Sequence, residues 1–130
     1  MPIPDVQNRP LIVLAGGSGY IGGRLIPLLE QRGERLRCLA RQPEKLRSRV
    51  SATTELVQGD AMKRESLASA LAGADTAYYL VHLMSSSKDF ERDDREAAGN
   101  FAAAARDAGV RRIIYLGGLG DDNDPPLSPH

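Results

Sequence analysis

The chain has 130 residues, 17 of them Lys or Arg and 17 Asp or Glu, so its formal charge is zero. That length suits one domain with a real core, and 42% hydrophobic against 26% charged residues excludes wholesale disorder. Neutrality argues against nucleic acid or a membrane surface as partner, one cysteine excludes an internal disulfide, and no apolar run approaches the roughly 20 residues of a membrane span.

The segment Met1–Pro10 is polar and Pro-containing, without the apolar core of a signal peptide, and reads as an N-terminal extension to a soluble, cytoplasmic domain over residues 11–120. Leu11-Ile12-Val13-Leu14-Ala15 is a short, continuously apolar run between Pro10 and Gly16, the pattern of a strand buried on both faces. Gly16-Gly17-Ser18-Gly19 follows, then a helix whose inward face is expected to carry Ile21, Leu25, Leu28 and Leu29, bent at Pro27 and stopped by Gly33. Leu36–Ala40 is the second strand, with Cys38 in its core, and Pro43 opens a short helix to about Val50. Glu55–Gln58 is the third strand, closed by Gly59-Asp60. Lys63–Ala72 is a helix with Leu67, Ala70 and Leu71 facing in.

Thr76–Val81 is a fourth strand. Ser85–Ser87 offer caps to a long helix that carries Phe90, Ala97, Phe101, Ala105 and Ala108 at helical spacing and ends at Gly109. Asn100 on this helix reads as structural. Arg112–Leu116 is the fifth strand, ended by Gly117-Gly118, and 121–130 reads as a flexible acidic, Pro-rich tail. Strict alternation of strand and helix predicts a doubly wound parallel α/β sheet, five strands in the order 3-2-1-4-5.

Gly16-x-x-Gly19-x-x-Gly22 lies between the first strand and the first helix, where glycine allows a tight turn, close ligand approach and close packing. Backbone donors around Gly17, Ser18, Gly19, Tyr20 and Ile21, at the positive end of a helix, favour a pyrophosphate. Within a βαβ frame this motif points to a dinucleotide. After the second strand, where an acidic residue would hold the ribose of NAD, stands Ala40-Arg41-Gln42. Arg41, joined by Lys45, is suited to the 2′-phosphate of NADP; alternatively it belongs to a solvated basic surface with Arg32, Arg35, Arg37, Arg47 and Arg49. Asp60 is placed either to accept from the adenine amino group or to cap the next helix. Val81 and His82 end the fourth strand beside the crevice, with His82 either facing the nicotinamide and a proton transfer or serving as a plain polar loop residue.

These segments resemble the cofactor-binding half of the extended and atypical short-chain dehydrogenase/reductase superfamily, over about Leu11–Gly120. The resemblance is carried by Leu14-Ala15-Gly16-Gly17-Ser18-Gly19-Tyr20-Ile21-Gly22, Arg41-Gln42-Pro43-Glu44-Lys45-Leu46, Gln58-Gly59-Asp60 and Ala104–Tyr115. It is nearest to the NmrA-like and nucleoside-diphosphate-sugar-epimerase-related group, where an Arg after the second strand implies NADP over NAD. The sequence departs from the family at Ala15, where a Thr is usual. It departs again in lacking Tyr-x-x-x-Lys, since Tyr20, Tyr78, Tyr79 and Tyr115 are followed four residues on by Arg24, His82, Leu83 and Leu119. The resemblance therefore implies either a reductase whose catalytic elements follow this half or a non-catalytic dinucleotide sensor. In the first case the fifth strand would be an unprotected edge, and self-association through it is expected.

Overall fold

A computed structural model describes residues 8–17, 19–80 and 88–115. Its strands are β1 (Leu11–Ala15), β2 (Arg35–Ala40), β3 (Glu55–Gln58), β4 (Ala74–Tyr79) and β5 (Arg112–Tyr115). Its α-helices are α1 (Tyr20–Gln31), α2 (Leu67–Leu71) and α3 (Lys88–Asp107). All neighbouring strands are parallel, in the order β3-β2-β1-β4-β5, as the alternation predicted.

β1 is the centre of the sheet, and its side chains alternate between two cores because successive strand residues point to opposite faces. Leu11, Val13 and Ala15 pack with Leu67, Leu71, Phe101 and Ala105 under α2 and α3. Leu14 packs with Ile26, Leu29, Cys38 and Leu46 under α1 and a 3-10 helix at Pro43–Arg49. Burial on both faces is why β1 reads as an unbroken apolar run. Cys38 is fully buried, and burial together with the nearby Glu30 pushes its thiol up to about 12. At neutral pH it is an uncharged core atom. Glu30 itself holds the loop into β3, accepting from Ser51 N at 2.8 Å and Thr54 Oγ1 at 2.5 Å.

Several expectations are corrected. On α1 the inward residue is Ile26, while Leu28 is 57% exposed, because the buried stripe runs through positions 21, 25, 26 and 29. β2 starts one residue early, at Arg35, and β4 spans Ala74–Tyr79 in place of Thr76–Val81. The expected helix Lys63–Ala72 is a 3-10 turn at Arg64–Ser66 followed by the short α2. Its start is tightened because the Ser66 hydroxyl donates back to Lys63 O at 2.7 Å, competing with α-helical pairing. The helix after Gln42 is of 3-10 type and ends at Arg49. Ser85–Ser87, Gly117-Gly118 and the tail lie outside the described residues.

Arg37 is likewise no solvated side chain. It stands on the α2 face of β2, where its guanidinium donates to Ala70 O at 2.8 Å, Ala72 O at 3.0 Å and Glu55 Oε1 at 2.9 Å. Asn100 is structural as expected, its amide donating to Ala61 O at 2.7 Å and tying α3 to the loop after β3. Among the described residues β3 and β5 are the edges of the sheet, and on β5 Ile113 is 40% and Tyr115 52% exposed.

Candidate cofactor site

The register aligns the C-terminal ends of the central strands. Ala15 is level with Leu39 and Tyr79, and Ala40 with Gln58. Leu80 N donates to Ala15 O at 2.9 Å, and Gly59 N to Ala40 O at 3.0 Å, so the chain leaves β4 and β3 still hydrogen-bonded to its neighbours. The Gly16 loop, Arg41 and Asp60 are thereby set along one edge, where doubly wound sheets bind ligands.

The three glycines of the loop do different things. Gly16 takes φ +104, a conformation that L side chains rarely adopt, and its carbonyl accepts from Gly19 N at 3.1 Å to close the turn. Gly22 is a contact glycine: a Cβ there would overlap the Gly16 carbonyl oxygen and stand 2.7 Å from Gly17 Cα. Gly19 needs neither property, since a Cβ would meet Gly16 O at 3.6 Å, an ordinary contact. Gly19 is instead the N-cap of α1 in extended conformation, without a side-chain capping bond, and the first turn carries no acidic residue. Among the described residues no side chain caps the first turn, so its N–H groups stand available to a ligand at the positive end of a 12-residue helix. Packed so closely that no side chain fits between loop and helix, this cradle fits a pyrophosphate held by backbone donors. Ile21 packs against the α1-side core, and Ser18, Val81 and His82 lie outside the described residues.

A cleft of about 300 Å³ beyond the ends of β2 and β3 is lined by Arg41, Gln58, Gly59, Asp60, Lys63 and Ser66. Gln58 Nε2 donates to Arg41 O at 3.3 Å, joining the two rims. Asp60 Oδ1 accepts from Met62 N at 2.9 Å, which orients the carboxylate by a local turn. The next helix is not capped by Asp60: its N-cap is Lys63, without a side-chain bond, and Ser66 Oγ instead accepts from Asp60 N at 2.9 Å. Arg41 and Asp60 are therefore brought to one cleft. Lys45 is exposed on the 3-10 helix and is not among the lining residues, whereas Lys63, which the sequence reading passed over, is. Its signal was only its position, three residues after Asp60. A larger groove of about 580 Å³ follows the α2–α3 seam to Gly73, at the entrance of β4. It reaches the N-terminal edge of the sheet, away from the loop that carries the motif.

Known proteins agree with this geometry. A family model described as NAD(P)H-binding matches residues 16–130. The chain belongs to this NAD(P)H-binding family. It is 32% identical over 114 residues to a 3-beta-hydroxysteroid dehydrogenase of Mycolicibacterium neoaurum, covering 80% of this chain and 31% of that one. It is 30% identical over 106 residues to a 4-hydroxy-2-methyl-3-oxo-4-farnesyl-3,4-dihydroquinoline-1-oxide ketoreductase of Stigmatella aurantiaca, covering 79% and 32%. Among solved structures, the triphenylmethane reductase of Citrobacter sp. complexed with NADP(H) superposes with a TM-score of 0.71 at 27% identity, over 86% of this chain and 39% of that one. The chain thus spans about a third of the length of these curated relatives. It is an NAD(P)-binding Rossmann domain of the dehydrogenase/reductase superfamily, with structural neighbours that include a putative epimerase of Bacteroides thetaiotaomicron. Among the described residues no helix is long and apolar enough to cross a membrane.

Proposed function

We propose that this domain prefers NADP and serves an oxidoreductase that transfers a hydride to or from a small organic substrate. The observation that carries the preference is Arg41, exposed just after β2 and lining the cleft that Asp60 also lines, with Ala40 and Gln42 rather than a carboxylate on either side of it. A guanidinium there meets a 2′-phosphate with paired charge-assisted hydrogen bonds. An acid in its place would repel that phosphate and bind the free ribose hydroxyls of NAD.

In this reading the backbone N–H groups from Gly17 to Ile21 hold the pyrophosphate and Asp60 accepts from the adenine amino group. Bound there, the cofactor supplies or accepts the hydride. What this chain contributes is binding and orientation: the glycine cradle fixes the pyrophosphate and the cleft fixes the adenosine. Val81 and His82 follow β4 in sequence and are its candidates for the nicotinamide side, with His82 the one side chain suited to move a proton there. The relatives named as a dehydrogenase and a ketoreductase support the reaction class.

Calorimetric titration tests the cofactor. NADP is expected to bind more tightly than NAD, and Arg41→Ala to weaken NADP by roughly ten- to a hundredfold while leaving NAD unchanged. Equal affinities in the unmodified protein would refute the preference. In the full-length protein, cofactor binding without NADPH oxidation by any carbonyl or quinone substrate would favour a dinucleotide sensor over an oxidoreductase.

The same reading includes self-association through β5, which has a strand neighbour on one side only among the described residues and whose Ile113 and Tyr115 are exposed. Light scattering is expected to show an oligomer at high concentration, dispersed by Ile113→Lys. A monomer throughout would count against it.

A further inference from the structure

We infer that Lys63 determines cofactor specificity together with Arg41, as the second cation facing the 2′-phosphate. The inference rests on the NADP reading above and extends it to a residue outside the usual position after the second strand. The backbone of Lys63 is fixed: its N–H donates to Asp60 O at 2.8 Å, and its carbonyl accepts from Ser66 Oγ at 2.7 Å. The side chain therefore leaves from a set point on the wall of the cleft that Arg41 also lines, whereas Lys45 does not line it.

Two further observations point to a ligand. Lys63 occupies the N-cap of a helical turn and makes no capping bond there. An Asp or Ser there could cap the turn and a lysine side chain cannot, so no local hydrogen bond engages the ammonium. Moreover, neither Arg41 nor Lys63 enters an ion pair among the described residues, and Asp60, the carboxylate of the cleft, is oriented by Met62 N. The cleft thus presents two unengaged cations against one oriented carboxylate. A phosphate monoester with a charge of about −1.5 to −2 matches that excess, whereas the neutral ribose hydroxyls of NAD do not.

The test is titration of NADP, NAD and 2′-phospho-AMP into the purified protein and its Lys63→Met, Lys63→Arg and Arg41→Met variants. Lys63→Met is expected to weaken NADP and 2′-phospho-AMP about tenfold and leave NAD within about twofold, with Lys63→Arg close to the unmodified protein. The NADP loss is also expected to shrink as salt rises, because an exposed charge contact is screened. If Lys63→Met weakens NAD as much as NADP, the side chain packs against adenine and the inference is overturned. It is equally overturned if Lys63→Met leaves NADP unchanged while Arg41→Met still weakens it, an outcome that spares the NADP reading. Failure of Arg41→Met to alter the NADP-to-NAD ratio overturns both.

Discussion

Gly22→Ala is expected to abolish measurable cofactor binding and to destabilise the fold, whereas Gly23→Ala, one residue on, stabilises it. Both positions lie in the first turns of α1, and helix propensity alone favours alanine over glycine by about 1 kcal/mol at each. Space decides the sign. A Cβ at Gly23 meets nothing within 4 Å. At Gly22 the same atom overlaps the Gly16 carbonyl oxygen, stands 2.7 Å from Gly17 Cα and lies 3.0 Å from the Gly16 carbonyl carbon. These are backbone atoms, which cannot rotate away as the end of a flexible side chain can. The loop must move off the helix, at a cost of about 1–3 kcal/mol for overpacking, which outweighs the propensity gain. That movement separates the Gly16–Gly19 turn from the first-turn N–H groups with which it would hold the pyrophosphate in the proposed reading, so binding is expected to fall by more than the stability does. Thermal melts and NADP titration of the two variants check this. A Gly22→Ala variant that melts with Gly23→Ala and still binds would show that the cradle is not tight.

The parts of this fold that were legible from the residues are those determined by local pattern. β1 is apolar at every position because both its faces are covered, and the glycine spacing marks the turn because Gly16 needs positive φ and Gly22 needs contact with backbone. The parts that were not legible depend on groups far apart in sequence or on the phase of a helix. Leu28 and Leu29 are equally apolar, and only the packing of Ile26 against Leu14 and Leu46 sets which of them faces out. The α2 region was read as a longer helix because its apolar spacing is helical. Ser66 shortens it by bonding to Lys63 and Asp60, a competition that periodicity does not register. That Arg41 and Asp60 share a cleft was legible because they follow the ends of β2 and β3 by one and two residues. That Lys63 lines the same cleft and Lys45 does not was not legible, because it depends on the pairing of β2 with β3 and not on distance from Arg41 in sequence.

Arg37 is the sharpest such case, and Arg37→Met is expected to lower stability by about 2–3 kcal/mol, and the melting temperature by roughly 10 °C, without changing the cofactor's contacts. In sequence it is one arginine in a basic run; in the sheet it alternates with Leu36 and Cys38 to face the α2 side. Its side chain is only 13% exposed. The last carbonyls of a helix have no partner within it, and α2 is a five-residue helix with little cooperative stability of its own. The guanidinium answers both needs, since one Nη1 bonds Ala70 O and Ala72 O while Nε holds Glu55 on β3. Methionine keeps much of the apolar stem and removes the donors, leaving two carbonyls short of partners under a helix that covers Val13 and Leu39. Arg64→Met provides the contrast. Its pair with Asp107, at 3.0 Å, lies between side chains more than half exposed, and its loss is expected to cost under about 1 kcal/mol. Urea denaturation of the two variants separates the cases. Equal small losses would mean that α2 is held by Leu67 and Leu71 alone. A large loss at Arg37 only would show that β2 carries the cation that fastens the α2 layer to the sheet, four residues before the Arg41 that the proposed reading gives to the cofactor.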